Sequence, residues 1–304
     1  MDGQTKTTEK RHIISYYLDV SLFADSDSDG IGDLHGLIDH LDYIADLGVD
    51  EIGFSGIANF PFDRQGKLSD DDDGCHGEDY VCQLLKAASR RNLALRPDFQ
   101  AIDQIGKYLA GAATSSHGLR ELLVYYCYKN NDGPIIFDYM GQPRLTSSYG
   151  RLRNHMEIAK MFATLQMTLP GTPYLCQGQE LGMLDYAPLP WGYDVDSDIY
   201  AISVASQDSD ETSILNYYRR VVALRKSSLI LQDGETQIVE DCRHVFGFLR
   251  AYGEEGIMVV ANISNKIVRP HVPLVGNLLI SSYEGRADLT DNELQPFEVI
   301  VARV

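Results

Sequence analysis

Hydrophobic positions along the chain switch between short β-branched runs and helical spacing. That alternation of strand, helix and strand builds a parallel sheet covered by helices. Ile13 to Phe23 reads as a first strand and its exit. From Leu34, the residues Leu37, Ile38, Leu41, Ile44 and Ala45 recur at helical spacing, and Gly48 stands where a helix stops. Val49 to Phe54 is the second strand, Asp79 to Asn92 the next helix, and Leu93 to Arg96 a short strand leaving through Pro97-Asp98-Phe99. A helix over Leu119 to Tyr128 leads to Ile135-Ile136-Phe137-Asp138, and one over Asn154 to Leu169 leads to Tyr174-Leu175-Cys176. The amphipathic stretch Ile214 to Leu224 closes this α/β part.

After Leu231 the pattern changes to short strands separated by turn signals: 236–239, 245–251, 257–263, 267–274, 278–282 and 297–301. A small antiparallel β-domain is the economical reading. The expected division is an α/β domain over 12–230 and a β-sandwich domain over 231–304.

Composition adds limits. At 304 residues, 44% hydrophobic and 23% charged, the chain is an ordinary globular protein. A net charge of −18 argues against a nucleic-acid partner, because phosphate binding needs clustered Lys and Arg. No segment reaches the ~20 consecutive apolar residues of a membrane span, and Met1 to Arg11 lacks the apolar stretch of a secretory signal. The expectation is a soluble, cytoplasmic protein. The five scattered cysteines, Cys75, Cys82, Cys127, Cys176 and Cys242, then read as reduced thiols. The run Asp70 to Asp73 reads as a solvated loop.

The segment Asp25-Ser26-Asp27-Ser28-Asp29-Gly30-Ile31-Gly32-Asp33 places carboxylates at positions one, three, five and nine, a glycine at six and the Ile31 carbonyl at seven. Those offsets wrap oxygens about a hard cation at roughly 2.3–2.6 Å, so Asp25, Asp27, Asp29, Ile31 and Asp33 are the expected ligands of Ca2+. Position twelve is Gly36 in place of a bidentate Glu, so this is not a full EF-hand. The competing reading is an acidic approach to the helix at Leu34, which the helix dipole favours.

This loop, followed by Leu41-Asp42-Tyr43-Ile44-Ala45-Asp46-Leu47-Gly48-Val49-Asp50, resembles the start of an oligo-1,6-glucosidase of the α-amylase superfamily, where an analogous loop holds calcium. Gln142-Pro143-Arg144 resembles the end of that family's seventh-strand motif, and Ala159-Lys160-Met161 through Gly171-Thr172-Pro173-Tyr174 with Gln177-Gly178-Gln179-Glu180-Leu181-Gly182-Met183 its final helix and eighth strand. Asn216-Tyr217-Tyr218-Arg219-Arg220 with Ala223-Leu224-Arg225-Lys226 resembles the helix into the C-terminal domain, and Leu294-Gln295-Pro296 that domain's last strand. The resemblance implies a truncated or rearranged (β/α)8 TIM-type barrel followed by a small C-terminal antiparallel β-domain.

The family's chemistry needs two carboxylates flanking the sugar bond, roughly 5–5.5 Å apart in retaining enzymes. Fewer than forty residues separate Asp98 from Ile135, too few for the strands that carry nucleophile and acid. The family's Asn-His-Asp at strand seven reads Tyr139-Met140-Gly141, and its Asn-His after strand three reads Ile102-Asp103. Gly247-Phe248-Leu249-Arg250 looks like the nucleophile motif but falls in the β-domain without the Asp. No catalytic residue is therefore assigned, and Asp98 and Arg144 are what the resemblance leaves as substrate contacts. The leading expectation is a catalytically degenerate α-glucosidase-like protein in carbohydrate metabolism, with a binding or regulatory role toward an α-glucoside or a partner protein. The alternatives are a glycoside hydrolase with relocated carboxylates, such as Asp98 and Asp138, or an internally deleted relative without a selected function. An open parallel sheet exposes unpaired edges, so a homodimer or partner chain covering the gap is also expected.

Overall fold

Ile14, Tyr16 and Leu18 alternate with Ser15 and Tyr17 so that both faces of this segment are packed, as in a central parallel strand. The computed structural model describes residues 12–55, 80–96, 115–129, 133–138, 144, 155–192 and 202–304. Strand β1 (Ser15–Asp19) is followed by the single turn α1 (Val20–Phe23), by α2 (Leu34–Asp39) and by α3 (Leu41–Asp46). Next come β2 (Glu51–Ser55), α4 (Tyr80–Arg90), β3 (Ala94–Arg96), α5 (Ser116–Tyr128), β4 (Pro134–Ile135), α6 (His155–Thr168) and β5 (Thr172–Cys176). The five strands form one sheet in the order β3-β2-β1-β5-β4, every pair parallel, with Ser15 opposite both Glu51 and Tyr174.

Three short elements, α7 (Val204–Asp208), α8 (Ile214–Lys226) and α9 (Leu229–Asp233), lead into a second sheet. Its strands are β6 (Glu235–Asp241), β7 (Val245–Tyr252), β8 (Glu255–Asn262), β9 (Asn277–Ser281) and β10 (Val299–Arg303), in the antiparallel order β6-β7-β8-β10-β9. The division expected at residue 230 lies within α9, whose Ile230 and Leu231 are buried.

The parallel sheet packs Tyr16, Leu18, Ile52 and Leu175 against Leu37, Leu41, Ile44, Tyr217 and Val221 of its covering helices. Helix α6 is buried on every side from Ile158 to Thr168, because it lies between the two sheets. Its Met161, Phe162 and Leu165 share a core with Phe246, Phe248, Val259 and Val299 of the antiparallel sheet. The polar residues of α6 are answered locally: Thr164 and Thr168 donate to the carbonyls four residues back, and Gln166 donates to Ile135 O and Tyr174 O.

The C-terminus of α6 is held by two buried arginines. Arg225 of α8 donates to Met167 O, Leu169 O and Gly171 O at 2.8, 3.0 and 2.6 Å, and Arg250 of β7 donates to Thr168 O at 2.8 Å and twice to Gly234 O. Cations here satisfy the orphan carbonyls of the last turn and oppose its negative dipole end.

Three sequence expectations change. The helix expected from Leu34 to Gly48 is two helices, broken at His40 (φ −108°, ψ 14°), whose ring packs 3.9 Å from that of Trp191. Segment 267–274 makes a single bridge, Val268 to Leu294, in place of a strand. Pro270 and Pro273 have no amide to give a ladder, and the His271 and Val272 amides donate to the Glu240 carboxylate. Cys82 is disulfide-bonded, against the expectation of reduced thiols throughout; Cys127, Cys176 and Cys242 are free. Among the described residues no helix is long and apolar enough to cross a membrane.

Candidate functional site

The acidic loop leaves α1 and enters α2, and its shape follows from short side chains bonding the backbone just ahead of them. Asp25 Oδ1 accepts from the Ser28 and Asp27 amides at 2.7 and 3.2 Å, and its Oδ2 accepts from Gly30 N at 2.7 Å. Asp27 Oδ1 accepts from Asp29 N, and Asp29 Oδ1 from Ile31 N. Gly30 holds φ at 92° and Ser28 at 66°, the left-handed backbone such a tight wrap requires. The result brings carboxylate oxygens of Asp25, Asp27 and Asp29 within 4.8 Å of one another on the surface. Ile31 lies beside them, 59% exposed.

Asp33 is placed differently. It caps α2, with Oδ1 accepting from Gly36 N at 2.7 Å and Oδ2 from the Ser26 amide and hydroxyl. Both of its oxygens are thereby engaged, and it falls outside the cluster of three. Position twelve has no room for a ligand: a Cβ on Gly36 would stand 2.2 Å from Ala24 O, and one on Gly32 would stand 2.1 Å from Val20 O. The loop closes onto α1 through these two glycines.

Backbone hydrogen bonds set the electrostatics. The Gly30 amide foremost, then those of Ser28 and Asp27, hold the Asp25 carboxyl below its ordinary value. For Asp33 partial burial pushes upward, but the bonds from Gly36 and Ser26 outweigh it and the carboxyl is again lowered. Three carboxylates brought together form an all-oxygen donor set, which fits a hard cation such as Ca2+.

At the C-terminal ends of the parallel strands, Asp19 caps α1 through the Ser21 amide and hydroxyl. Asp138, just past β4, lies 3.6 Å from Arg144 Nη1. Arg144 is 2% exposed, and it also donates to Gln177 O and to Asp185 O. Asp98, Ile102-Asp103, Tyr139-Met140-Gly141 and the run Asp70 to Asp73 lie outside the described residues.

Beneath these strand ends is a buried group that the sequence reading did not single out. Glu180, fully buried in the turn after β5, accepts from the Tyr16 and Tyr43 hydroxyls, both at 2.7 Å, through Oε1, while its Oε2 has no hydrogen-bond partner among the described residues. Burial pushes the Glu180 carboxyl up against the opposing pull of the two tyrosines. The neighbouring Cys176 thiol is pushed up to about 12 by the same cause, which leaves it protonated and unreactive. A signal for Glu180 did exist, since it is a lone acid between Cys176 and Met183 in an otherwise apolar or amide-bearing run.

Gly247-Phe248-Leu249-Arg250 lies in β7, and its arginine is spent on α6. A cavity of about 490 Å³ opens near it, lined by Gly171, Gln232, Asp233, Glu235 and Arg250, at the N-terminal end of β5. In barrel enzymes chemistry is built at the opposite, C-terminal strand ends.

A parallel α/β sheet whose first strand exits into a carboxylate loop, joined to an antiparallel sheet, matches the layout that the sequence resemblance implies. Comparison with known proteins agrees. Residues 20–71 match the model of the family described as alpha amylase, catalytic domain. A probable alpha-glucosidase of Rhizobium meliloti is 27% identical over 181 residues, covering 47% of this chain and 33% of that protein. An oligo-1,6-glucosidase of Halalkalibacterium halodurans is 25% identical over 225 residues, covering 53% and 40%. In fold, the chain is like the crystal structure of Bacillus licheniformis trehalose-6-phosphate hydrolase, with a TM-score of 0.73 at 15% identity, covering 96% of this chain and 99% of that one. The isomaltulose synthase from Erwinia rhapontici NX5 gives 0.73 at 14%, covering 96% and 98%. The chain is thus similar in part of its sequence to oligo-1,6-glucosidases and α-glucosidases, and in fold to enzymes of that kind; it spans about a third to two fifths of the length of these two curated relatives.

Proposed function

We propose that this chain is a non-catalytic relative of the α-glucosidases, a binding or regulatory protein of carbohydrate metabolism built on a truncated barrel. The observation that carries the reading is the short connection between β3 and β4. Fewer than forty residues separate Arg96 from Pro134, and α5 takes thirteen of them, whereas an eight-unit barrel places several more strands there. β1 pairs in parallel with β5, the last strand of the α/β part, as first and last strands do in a closing barrel. The strands that should bring nucleophile and acid belong to the stretch with no room for them. The one carboxylate described beyond β4, Asp138, is 6% exposed and faces Arg144, which supports a structural pairing over a relocated acid. On the same reasoning the buried Arg144 is a structural cation before it is a sugar contact. A second copy of the chain or another protein would cover the edges at β3 and β4.

Asp25, Asp27 and Asp29, with the Ile31 carbonyl, would hold calcium in this proposal, and Asp33 would support them by fixing α2. The ion's contribution is to neutralise three adjacent carboxylates and pin the α1 to α2 connection.

The test is incubation of the purified full chain with a nitrophenyl α-glucoside, with and without calcium, together with a melting curve. No release of nitrophenol above background and a rise in melting temperature on adding calcium are the expected results. Sustained turnover would overturn the non-catalytic reading, and an unchanged melting curve in a calcium series would overturn the metal assignment.

A further inference from the structure

The second sheet carries a cluster outside everything described so far. Glu240 of β6, Cys242 just beyond that strand, and His271 from the segment between Pro270 and Pro273 bring one potential ligand atom each to within 4.8 Å of the others. The Cys242 thiol lies 3.6 Å from Glu240 Oε1, and His271 Nδ1 lies 3.0 Å from that same oxygen. We propose that Glu240, Cys242 and His271 form a binding site for a zinc-like divalent cation on the antiparallel domain.

Four features support this. First, thiolate, imidazole and carboxylate together are the donor types of zinc, whereas a calcium site uses oxygen alone. Second, ligands at about 2.0–2.3 Å in a tetrahedron stand roughly 3.3–3.7 Å from each other, near the 3.6 and 3.0 Å that separate Glu240 Oε1 from Cys242 Sγ and His271 Nδ1. Third, the carboxylate is oriented from behind. The His271 amide donates to Oε1 at 3.0 Å and the Val272 amide to Oε2 at 2.9 Å, as outer partners of metal ligands do. Fourth, there is an entry path: Glu240 is 4% exposed but the His271 side chain is 85% exposed, leaving a fourth position open to water.

Residues 240 and 242 alternate onto one side of the strand, and the prolines at 270 and 273 keep the intervening segment out of a ladder, so that the His271 and Val272 amides and the His271 ring meet Glu240. The proton balance is simple. The thiol hydrogen directed at Oε1 leaves to solvent, and the imidazole hydrogen that Nδ1 donates to Oε1 in the empty site moves to Nε2 by exchange with solvent, so that Nδ1 can ligate and the ring stays neutral. One proton is released per ion, and affinity therefore rises with pH.

The test uses Co2+ as a spectroscopic probe on the full, untagged chain, with competition by Zn2+. Expected is a thiolate-to-cobalt charge-transfer band that saturates at one ion per chain and is erased by Zn2+. It should be absent in Cys242→Ser and retained in a variant with Asp25→Asn and Asp27→Asn. His271→Ala, which removes an exposed ring and keeps the His271 amide bond to Glu240, should weaken binding at least about tenfold. Absence of the band in the wild-type chain, its survival in Cys242→Ser, or unchanged affinity in His271→Ala would each overturn the proposal and leave Glu240 as a clamp on the proline segment.

Discussion

Gly36→Ala sets local propensity against tertiary contact. Gly36 sits inside α2, where replacing glycine by alanine normally stabilises a helix by about 1 kcal/mol. In the folded chain the added methyl would stand 2.2 Å from Ala24 O, 2.7 Å from Ala24 C and 3.1 Å from Ala24 Cβ. The two closest atoms are backbone, so no rotamer change relieves the overlap, and the end of the acidic loop must shift by about an ångström. Overpacking of that kind costs about 1–3 kcal/mol, and a rigid backbone neighbour puts this case at the upper end. The net expectation is a loss of about 2 kcal/mol. Unfolding entropy of about 2.1 cal/mol/K per residue amounts to about 0.6 kcal/mol/K for a chain of 304 residues. The melting temperature should therefore fall by about 3 °C, measurable by scanning calorimetry. A variant as stable as the parent, or more stable, would show that the loop is not closed on α1 as described.

Two further outcomes follow from buried charge. Arg250→Ala removes a fully buried side chain and leaves Thr168 O and Gly234 O dry, so denaturant unfolding should show a loss of about 3 kcal/mol or more; a loss under about 1 kcal/mol would mean that the joint between α6 and the second sheet does not depend on it. Glu180→Gln keeps an Oε1 acceptor for Tyr16 and Tyr43 but removes a carboxyl whose folded pKa burial has raised. Such a group favours the fold fully below its unfolded value of about 4.3 and loses that contribution as pH rises through the folded value. The variant should thus be more stable than the parent at pH 8, with the difference shrinking toward pH 4, and a less stable variant at pH 8 would refute the assignment of Glu180 as a strained buried anion.

Much of this molecule is legible locally. The helices at 80–90, 116–128, 155–168 and 214–226 announce themselves by apolar spacing, and Ser115 and Ser213 cap two of them through Gly118 and Asn216. Strands β6, β7 and β8 follow from their β-branched and aromatic runs. The acidic loop is legible for the same reason: carboxylates at alternate positions bond amides two to five residues onward, whatever the rest of the chain does. Even Asp33 could have been read as a helix cap, since it directly precedes the first residue of α2.

Other features depend on neighbours distant in sequence. His40 breaks its helix where it stacks on Trp191, more than a hundred residues away. Segment 267–274 loses its ladder because Glu240 takes its amides, and Glu180 is buried because Tyr16 and Tyr43 close over it. Arg250 becomes a helix cap only once the second sheet docks on α6.

By itself, the sequence determined most of the longer elements and their order, the acidic wrap and the resemblance to α-glucosidases, because periodicity, capping and ligand spacing act over a few residues. Tertiary structure alone decided that β1 sits beside β5, that α6 is wrapped on all sides, and that Glu240, Cys242 and His271 meet. Those outcomes rest on which surfaces exclude water together, and that is a property of the assembled chain.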